Sequence, residues 1–266
     1  MTLIVTGAAG WFGRAFLDLL AQGDPQDVGL VVHHPADVPL VTAAVPWAAV
    51  HVADLTQPGA VADVFAGVRE CEVVHAAGVI HPRSVAQFER VNVDATRNVV
   101  QQALAAGVRR FVHISSNSAI GTNPGPEDVF RDEEPYNPYL GYGRSKMLGE
   151  LAVTQVLSEA AIPGVILRPP WFYGRFQPDR QARFLKTVRS GRFPLVGDGS
   201  SRRSMVDVDS LAQAAALALR ADTHGVRRYW IADAHPYAMT DILAAVQQAA
   251  RLEGLSARAG HLRLPA

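Results

Sequence analysis

Thr2–Phe16 reads TLIVTGAAGWFGRAF, and the glycines Gly7, Gly10 and Gly13 divide an apolar run from an amphipathic one. Leu3–Thr6 is short and β-rich, while Gly13–Gln22 carries apolar residues at helical spacing. Each glycine has its own reason to be small. Gly7 lets the chain turn sharply, Gly10 lets a pyrophosphate approach the backbone, and Gly13 lets helix and strand pack closely. The start of the helix then offers free N–H groups and the positive end of the helix dipole to phosphate oxygens. A strand before and a helix after are the context that separates such a turn from an ordinary connection.

Outward from this turn the chain alternates strand and helix. Further β-rich runs lie at Val28–His33, Ala49–Val52, Val73–His75, Phe111–Ser115, Val165–Leu167 and Tyr229–Ala232. Helical patterns lie between them, at Ala60–Ala66, Phe88–Ala106, Tyr142–Ala161 and Leu211–Arg220. Short strands that are apolar on both faces and separated by helices form a parallel sheet covered on two sides. The expected fold is therefore α/β, a Rossmann-type doubly wound parallel sheet. Pro169–Asp207 is rich in Pro, Gly and Arg with a short helical run near Arg183–Arg189, and the stretch from Asp233 onward holds one more helix, about Thr240–Leu252. These stretches predict a small C-terminal substrate lobe, about 169–204 and 233–266, beside a dinucleotide-binding domain of 1–168 plus about 205–232. The segment Thr122–Tyr139 holds four prolines and reads as a long loop.

The 266 residues carry 25 Lys and Arg against 25 Asp and Glu. That balance lacks the basic excess of a nucleic-acid binder. The single cysteine, Cys71, allows no intramolecular disulfide and reads as a small buried apolar residue. No apolar run is long enough to span a bilayer, and the first strand begins too early to leave room for a signal peptide. A cytoplasmic location with no membrane and no nucleic-acid partner is expected. The nine histidines show no metal-like cluster, so no metal is expected.

Three later strand ends supply further candidate cofactor contacts. The second strand should end near an acid for the ribose 2′-hydroxyl, yet His33 and His34 stand there and the next carboxylate is Asp37. Without that acid a 2′-phosphate is not repelled, so both NAD and NADP remain admissible, and the histidines fit a solvated strand end equally well. Asp54 in VADL follows the third strand and could accept from an adenine amino group, with Leu55 beside it. Ala76, Ala77 and Gly78 follow the fourth strand, small enough for a flat nicotinamide ribose to pass or simply for a tight turn. Trp11 and Phe12 within the glycine turn and Pro169 after the sixth strand complete the candidate cofactor set.

Tyr142 and Lys146, in YGRSK, are four residues apart in a helical pattern and so share a helix face. A phenol titrates near 10. A neighbouring ammonium favours the phenolate, which predicts a pair able to take a proton from an alcohol or return one to a carbonyl. Ser115 and Ser116 end the fifth strand, at the sheet edge where open α/β sheets bind ligands.

The segments TGAAGWFG, VADL, VVHAAG, VNVDATRNVV, FVHISSNSAIG, YGRSK, LRPPWFYG and RRSMVDVDSLA together resemble the extended short-chain dehydrogenase/reductase family, the NAD-dependent epimerase/dehydratases, from Thr2 to about Ala221. The resemblance implies Tyr142 as acid/base, Lys146 as its tuner and ribose ligand, and Ser116 as the hydroxyl that polarises the substrate oxygen. Asn92 matches a family asparagine, or serves as a helix cap or backbone brace. Sugar 4,6-dehydratases of the family carry an Asp-Glu pair after the hydroxyl residue; Asn117 and Ser118 stand here and cannot supply that acid and base.

GDGSSRRSMVDVDSLA is similar to a family segment whose arginine binds a nucleotide-sugar diphosphate. Arg203 is the matching residue, with a salt bridge to Asp207 or Asp209 as its alternative. Trp171, with Phe172 and Tyr173, could wall a substrate pocket or pack a core. The substrate is expected to be a small molecule, most simply a nucleotide-activated sugar oxidised or reduced at a secondary alcohol or ketone. The alternatives are an NADPH-dependent ketoreductase or 3-hydroxysteroid-type dehydrogenase and, further off, a non-catalytic dinucleotide sensor. The resemblance also implies a homodimer through the helices Phe88–Ala106 and Tyr142–Ala161.

Overall fold

The β-rich runs do assemble into one parallel sheet. The structure, a computed structural model, describes residues 1–125 and 127–264. The parts of the expected loop and lobe that fall on 126 and 265–266 lie outside the described residues. Strands β1 (Thr2–Thr6), β2 (Val28–Val32), β3 (Ala49–Val52), β4 (Cys71–His75), β5 (Val108–Ile114) and β6 (Gly164–Arg168) are joined by a seventh, Val226–Trp230. Their order is seventh–β6–β5–β4–β1–β2–β3, and every pairing is parallel. The chain runs outward from β1 to β3 and then returns to place β4 on the other side of β1. The direction of winding therefore reverses between β1 and β4, and ligands bind at that crevice beyond the strands' carboxyl ends.

β2 and β6 are buried at every residue, as central strands covered on both faces must be. One apolar layer joins Val5, Leu30, Val112 and Leu167 to Phe12, Phe16 and Leu17 of the helix Trp11–Ala21 and to Leu211 and Ala215 of the helix Val208–Arg220. The opposite layer joins Val73 and Phe111 to Val99 and Val100 of the helix Ala95–Ala105 and to Val153 and Leu157 of the helix Leu140–Glu159. Burying each large side chain of this kind contributes about 1.5–3 kcal/mol. Cys71 is fully buried in the second layer, and burial pushes its thiol up to about 11.

Several expected elements change in the structure. The single helix at Phe88–Ala106 is instead Val85–Glu89, a π-helical stretch at Arg90–Asp94, then Ala95–Ala105. Asn92 lies within the wider turn, and π turns often occur at functional sites. A helix at Val38–Ala44 lacks the expected periodic signal because Pro39 falls inside it, but proline is tolerated in the first turn. The last sheet strand lies at Val226–Trp230 rather than Tyr229–Ala232. It is an edge strand with alternating exposure, so Arg227 and Arg228 disguise it.

A third apolar cluster, Val188, Leu195, Met205, Met239, Ile242 and Leu243, sits apart from the two sheet layers. It is built from the helices Asp179–Arg189 and Met239–Leu252 and from short two-stranded ladders. Asp179, in the first turn after Pro178, extends the first of these helices beyond the expected Arg183–Arg189. Arg175 fastens this region to the glycine turn. It bonds Asp18 at 2.6 Å and Asp209 at 2.9 Å, and its carbonyl accepts from the Trp11 indole at 2.5 Å. No helix among the described residues is long and apolar enough to cross a membrane.

Candidate active site

The glycine turn closes on itself before the first helix begins. Gly7 adopts φ +69, and a β-carbon there would lie 2.7 Å from the Ala77 amide nitrogen. Gly10 donates its N–H to the Gly7 carbonyl at 2.9 Å. Gly10 is also the helix N-cap, with no side-chain cap bond, so the first N–H groups of the helix have no capping side chain. A β-carbon at Gly13 would overlap the carbonyl oxygen of Gly7. Bare backbone, a helix N-terminus and a switch-point crevice together form a cradle that fits a dinucleotide pyrophosphate.

The neighbouring candidates are brought to the same edge. Ala76 donates its N–H to the Thr6 carbonyl at 3.2 Å, and Ala77 donates to the Thr6 hydroxyl at 3.3 Å. Asn92, buried, accepts from the Val79 N–H at 2.7 Å and donates to the Val79 carbonyl at 2.9 Å and to the Ser145 hydroxyl at 2.9 Å. It is thus a brace that holds the Gly78 segment against the Tyr142–Lys146 helix. A β-carbon on Gly78 would sit 4.0 Å from the buried Lys146 ammonium, so the Gly78 segment passes close beside the lysine.

Other cofactor candidates are placed less simply. The Phe12 ring is buried against Phe16, so only its backbone belongs to the turn. Trp11 packs edge-on against Phe172, which leaves its indole serving the contact with Arg175. Leu55 is buried in the second layer. Asp54 is exposed. Although partial burial pushes its carboxyl up, bonds from the Thr56 N–H and hydroxyl and the nearby His33 bring it below its usual value. One of its oxygens is thus already engaged in a local turn. His33 and His34 are exposed and meet edge-to-face at 4.7 Å, beyond the end of β2.

Beyond β5, Ser116 starts a short turn, Asn117–Ala119, and its hydroxyl accepts from the Ser118 N–H at 3.2 Å. It also lies 3.2 Å from the Ser118 hydroxyl and 3.4 Å from the Asn117 side chain. The Asn117 N–H donates to the buried Pro169 carbonyl at 3.0 Å, which ties this turn to the end of β6. Gly143 then lets the start of the Leu140–Glu159 helix press onto the turn, because a β-carbon there would overlap the Ser118 carbonyl. That close approach sets the Tyr142 turn of the helix against the Ser116 turn. Burial pushes the Tyr142 phenol up, opposed by hydrogen bonding with the Ser116 hydroxyl and by Arg180.

The expected lowering of Tyr142 by Lys146 is therefore not the net effect. The Lys146 ammonium instead donates to the Ile114 carbonyl at 2.8 Å. Burial lowers it to about 8, and Glu150 partly restores it. Ser115 likewise turns away from the crevice, bonding Glu150 at 2.5 Å. Glu150, Gly143, Arg168 and Arg180 are missing from the sequence-derived set. The repeat Tyr142, Lys146, Glu150 at four-residue spacing was a signal that could have found Glu150; Gly143 and Arg180 carry no such pattern.

The substrate-side candidates separate. Trp171 packs edge-to-face on Phe184 at 5.0 Å and belongs to the third apolar cluster. Arg203 is exposed in a ladder with Tyr237 and Ala238. Its alternative salt bridge is not found among the described residues, since Asp209 holds Arg175 instead. No group of three His, Cys, Asp or Glu among the described residues could hold a metal ion.

Residues 3–232 match the sequence model of the "NAD dependent epimerase/dehydratase family". The chain is 40% identical to the uncharacterized protein y4nL of Sinorhizobium fredii, over 99% of this chain and 76% of that protein. It is 27% identical to the 2-alkyl-3-oxoalkanoate reductase of Stenotrophomonas maltophilia, over 91% of this chain and 74% of that one. Its fold is similar to DesIV, the dTDP-glucose 4,6-dehydratase of Streptomyces venezuelae solved with NAD and TYD bound, with a TM-score of 0.81 and 25% identity over 100% of this chain and 84% of that one. A glycine cradle at the switch point, a tyrosine and a buried lysine four residues apart on a helix packed onto the Ser116 turn, and the match over nearly the whole length agree: this chain belongs to the NAD-dependent epimerase/dehydratase family.

Proposed function

We propose that this protein is an NAD(P)-dependent oxidoreductase or epimerase acting at a secondary alcohol or ketone carbon of a nucleotide-activated sugar. The observation that carries this reading is the close packing of the Tyr142 helix onto the Ser116 turn, where Gly143 meets the Ser118 carbonyl, at the same sheet edge as the glycine cradle. A nicotinamide dinucleotide, when bound, supplies the hydride acceptor or donor. Gly7, Gly10 and Gly13 would cradle its pyrophosphate, and Lys146, beside the Gly78 segment, would hold its ribose hydroxyls.

Ser116 orients the substrate oxygen by hydrogen bonding, and Tyr142 gives it or takes from it a proton. The half-buried phenol, pushed up from its ordinary value, is protonated at neutral pH, ready to donate to a carbonyl oxygen. Asn117 and Ser118 supply neither acid nor base, which disfavours expulsion of water. Arg203 and Arg180 are the cations we assign to the phosphates of the substrate. The exposed His33 and His34, with no carboxylate at the end of β2, favour a second reading: an NADPH-dependent ketoreductase on a non-sugar substrate.

Identifying the dinucleotide that co-purifies with the protein, with turnover assays on UDP- and dTDP-sugars, separates these readings. Tightly held NAD with no net accumulation of NADH supports the epimerase. An empty site that fills with NADPH and steady NADPH consumption supports the ketoreductase. Failure to bind either dinucleotide would overturn both.

A further inference from the structure

Glu150 is fully buried one turn beyond Lys146 on the same helix, and it gathers an unusual set of partners. Arg168, from the end of β6 and 2% exposed, meets it through two nitrogens, the closer at 2.7 Å. The Ser115 hydroxyl, beyond the end of β5, donates at 2.5 Å, and the Tyr136 hydroxyl donates at 2.8 Å. Arg228, from the edge strand, lies at 3.7 Å. Arg168 is further sandwiched by the Tyr136 and Trp230 rings, at 5.4 and 5.3 Å. Trp230 in turn stacks on Phe130 and donates its indole N–H to the Arg131 carbonyl at 3.1 Å. One carboxylate thus ties together the Lys146 helix, two strand ends and the 122–139 segment.

Stability alone does not account for such a cluster. A buried ion pair often stabilises no more than an apolar pair of the same shape. Its placement matters more. Lys146 and Glu150, four residues apart on one helix, reach adjacent residues at the end of β5, the ammonium bonding the Ile114 carbonyl and the carboxylate the Ser115 hydroxyl, while His113 on β5 and His75 on β4 face the same ammonium. Both histidines are held neutral by burial. The phenol is protonated as well. Arg168 and Arg228 act on Glu150 rather than on the ammonium. Glu150 is therefore the one anion among these facing groups.

We infer that Glu150 is a positioning residue of the active site: its buried carboxylate seats the Lys146 turn against the ends of β5 and β6 and supplies the counter-charge that keeps the Lys146 ammonium charged inside the core. Ser115 serves the carboxylate rather than the cofactor, and the adjacent Ser116 is held in register by the same bond.

This inference rests on Lys146 belonging to the site, but it can be tested without a substrate. The chain holds two lysines, Lys146 and Lys186, and Lys186 is exposed on the helix Asp179–Arg189. Titrating the full-length protein labelled with 13Cε-lysine gives two resonances, with Lys186 as internal reference. In the wild type the Lys146 midpoint is expected near 8. Glu150→Gln should lower it by about one unit or more, while Glu150→Asp should keep most of the wild-type value. Glu150→Gln destabilises the fold by leaving Arg168 buried without its anion, so the double variant E150Q/R168M provides a second route, removing both charges together. Because the Arg168 charge leaves with the carboxylate, it should show a smaller downward shift. An unchanged or raised midpoint in either folded variant overturns the inference. A chain that shows these shifts but turns over no substrate leaves the inference standing and counts against the enzymatic reading alone.

Discussion

Gly13 lies so close to the Gly7 carbonyl that no β-carbon fits between them. The helix Trp11–Ala21 can therefore approach β1 only with glycine at position 13, and this approach aims the uncapped N–H groups at the crevice. Gly13→Ala should push the helix away from the turn. We expect a loss of at least ~1 kcal/mol of stability and a dinucleotide affinity at least tenfold weaker. Isothermal titration with NAD and NADP, alongside urea unfolding, measures both. An alanine variant that binds as the wild type does would mean that the cradle is placed elsewhere.

His75 and His113 stack at 5.4 Å beneath the site, both buried. His75 is bonded on both sides, to the Thr6 hydroxyl at 2.7 Å and the Thr96 hydroxyl at 2.9 Å. Neither ring nitrogen of His113 has a hydrogen-bond partner among the described residues. Burial lowers His75 to about 3 and lowers His113 well below its ordinary value. The folded state thus keeps them neutral while the unfolded chain takes up protons below about pH 6.5. Stability should fall as pH drops from about 6.5 toward 3, by up to about 1.4 kcal/mol per pH unit for each group. Urea midpoints between pH 7 and pH 4 should show this slope, and His113→Leu should flatten it.

That histidine pair marks the boundary of what the sequence makes legible. The glycine turn, the alternating elements and the Tyr142–Lys146 spacing depend on local periodicity and local sterics, so they can be read directly. The strand ends that carry Ser116 and Gly78 follow from the same pattern. The direction of Ser115, the anchoring of Lys146 on Ile114 and the Glu150–Arg168 pair depend on which side chains meet across strands β5 and β6. Spacing along the chain does not encode those meetings. The π-helical stretch around Asn92 escaped for a related reason, since Asn92 there meets the Val79 backbone 13 residues away.

The homodimer remains a proposal carried by the family. Leu151, 42% exposed on the Leu140–Glu159 helix, is the residue we would place near the centre of such a contact. Light scattering at micromolar protein should give twice the 28.6 kDa chain mass, and Leu151→Glu should shift the population toward the monomer. A monomeric wild type would remove this element.

The central claim is that Tyr142 moves the proton, and Tyr142→Phe tests it most directly. The variant keeps the ring and removes only the hydroxyl. Once a substrate is identified, we predict a loss of about 10²–10⁴ in kcat, with dinucleotide affinity and thermal stability close to the wild type. Full turnover by the folded Tyr142→Phe protein would contradict the account.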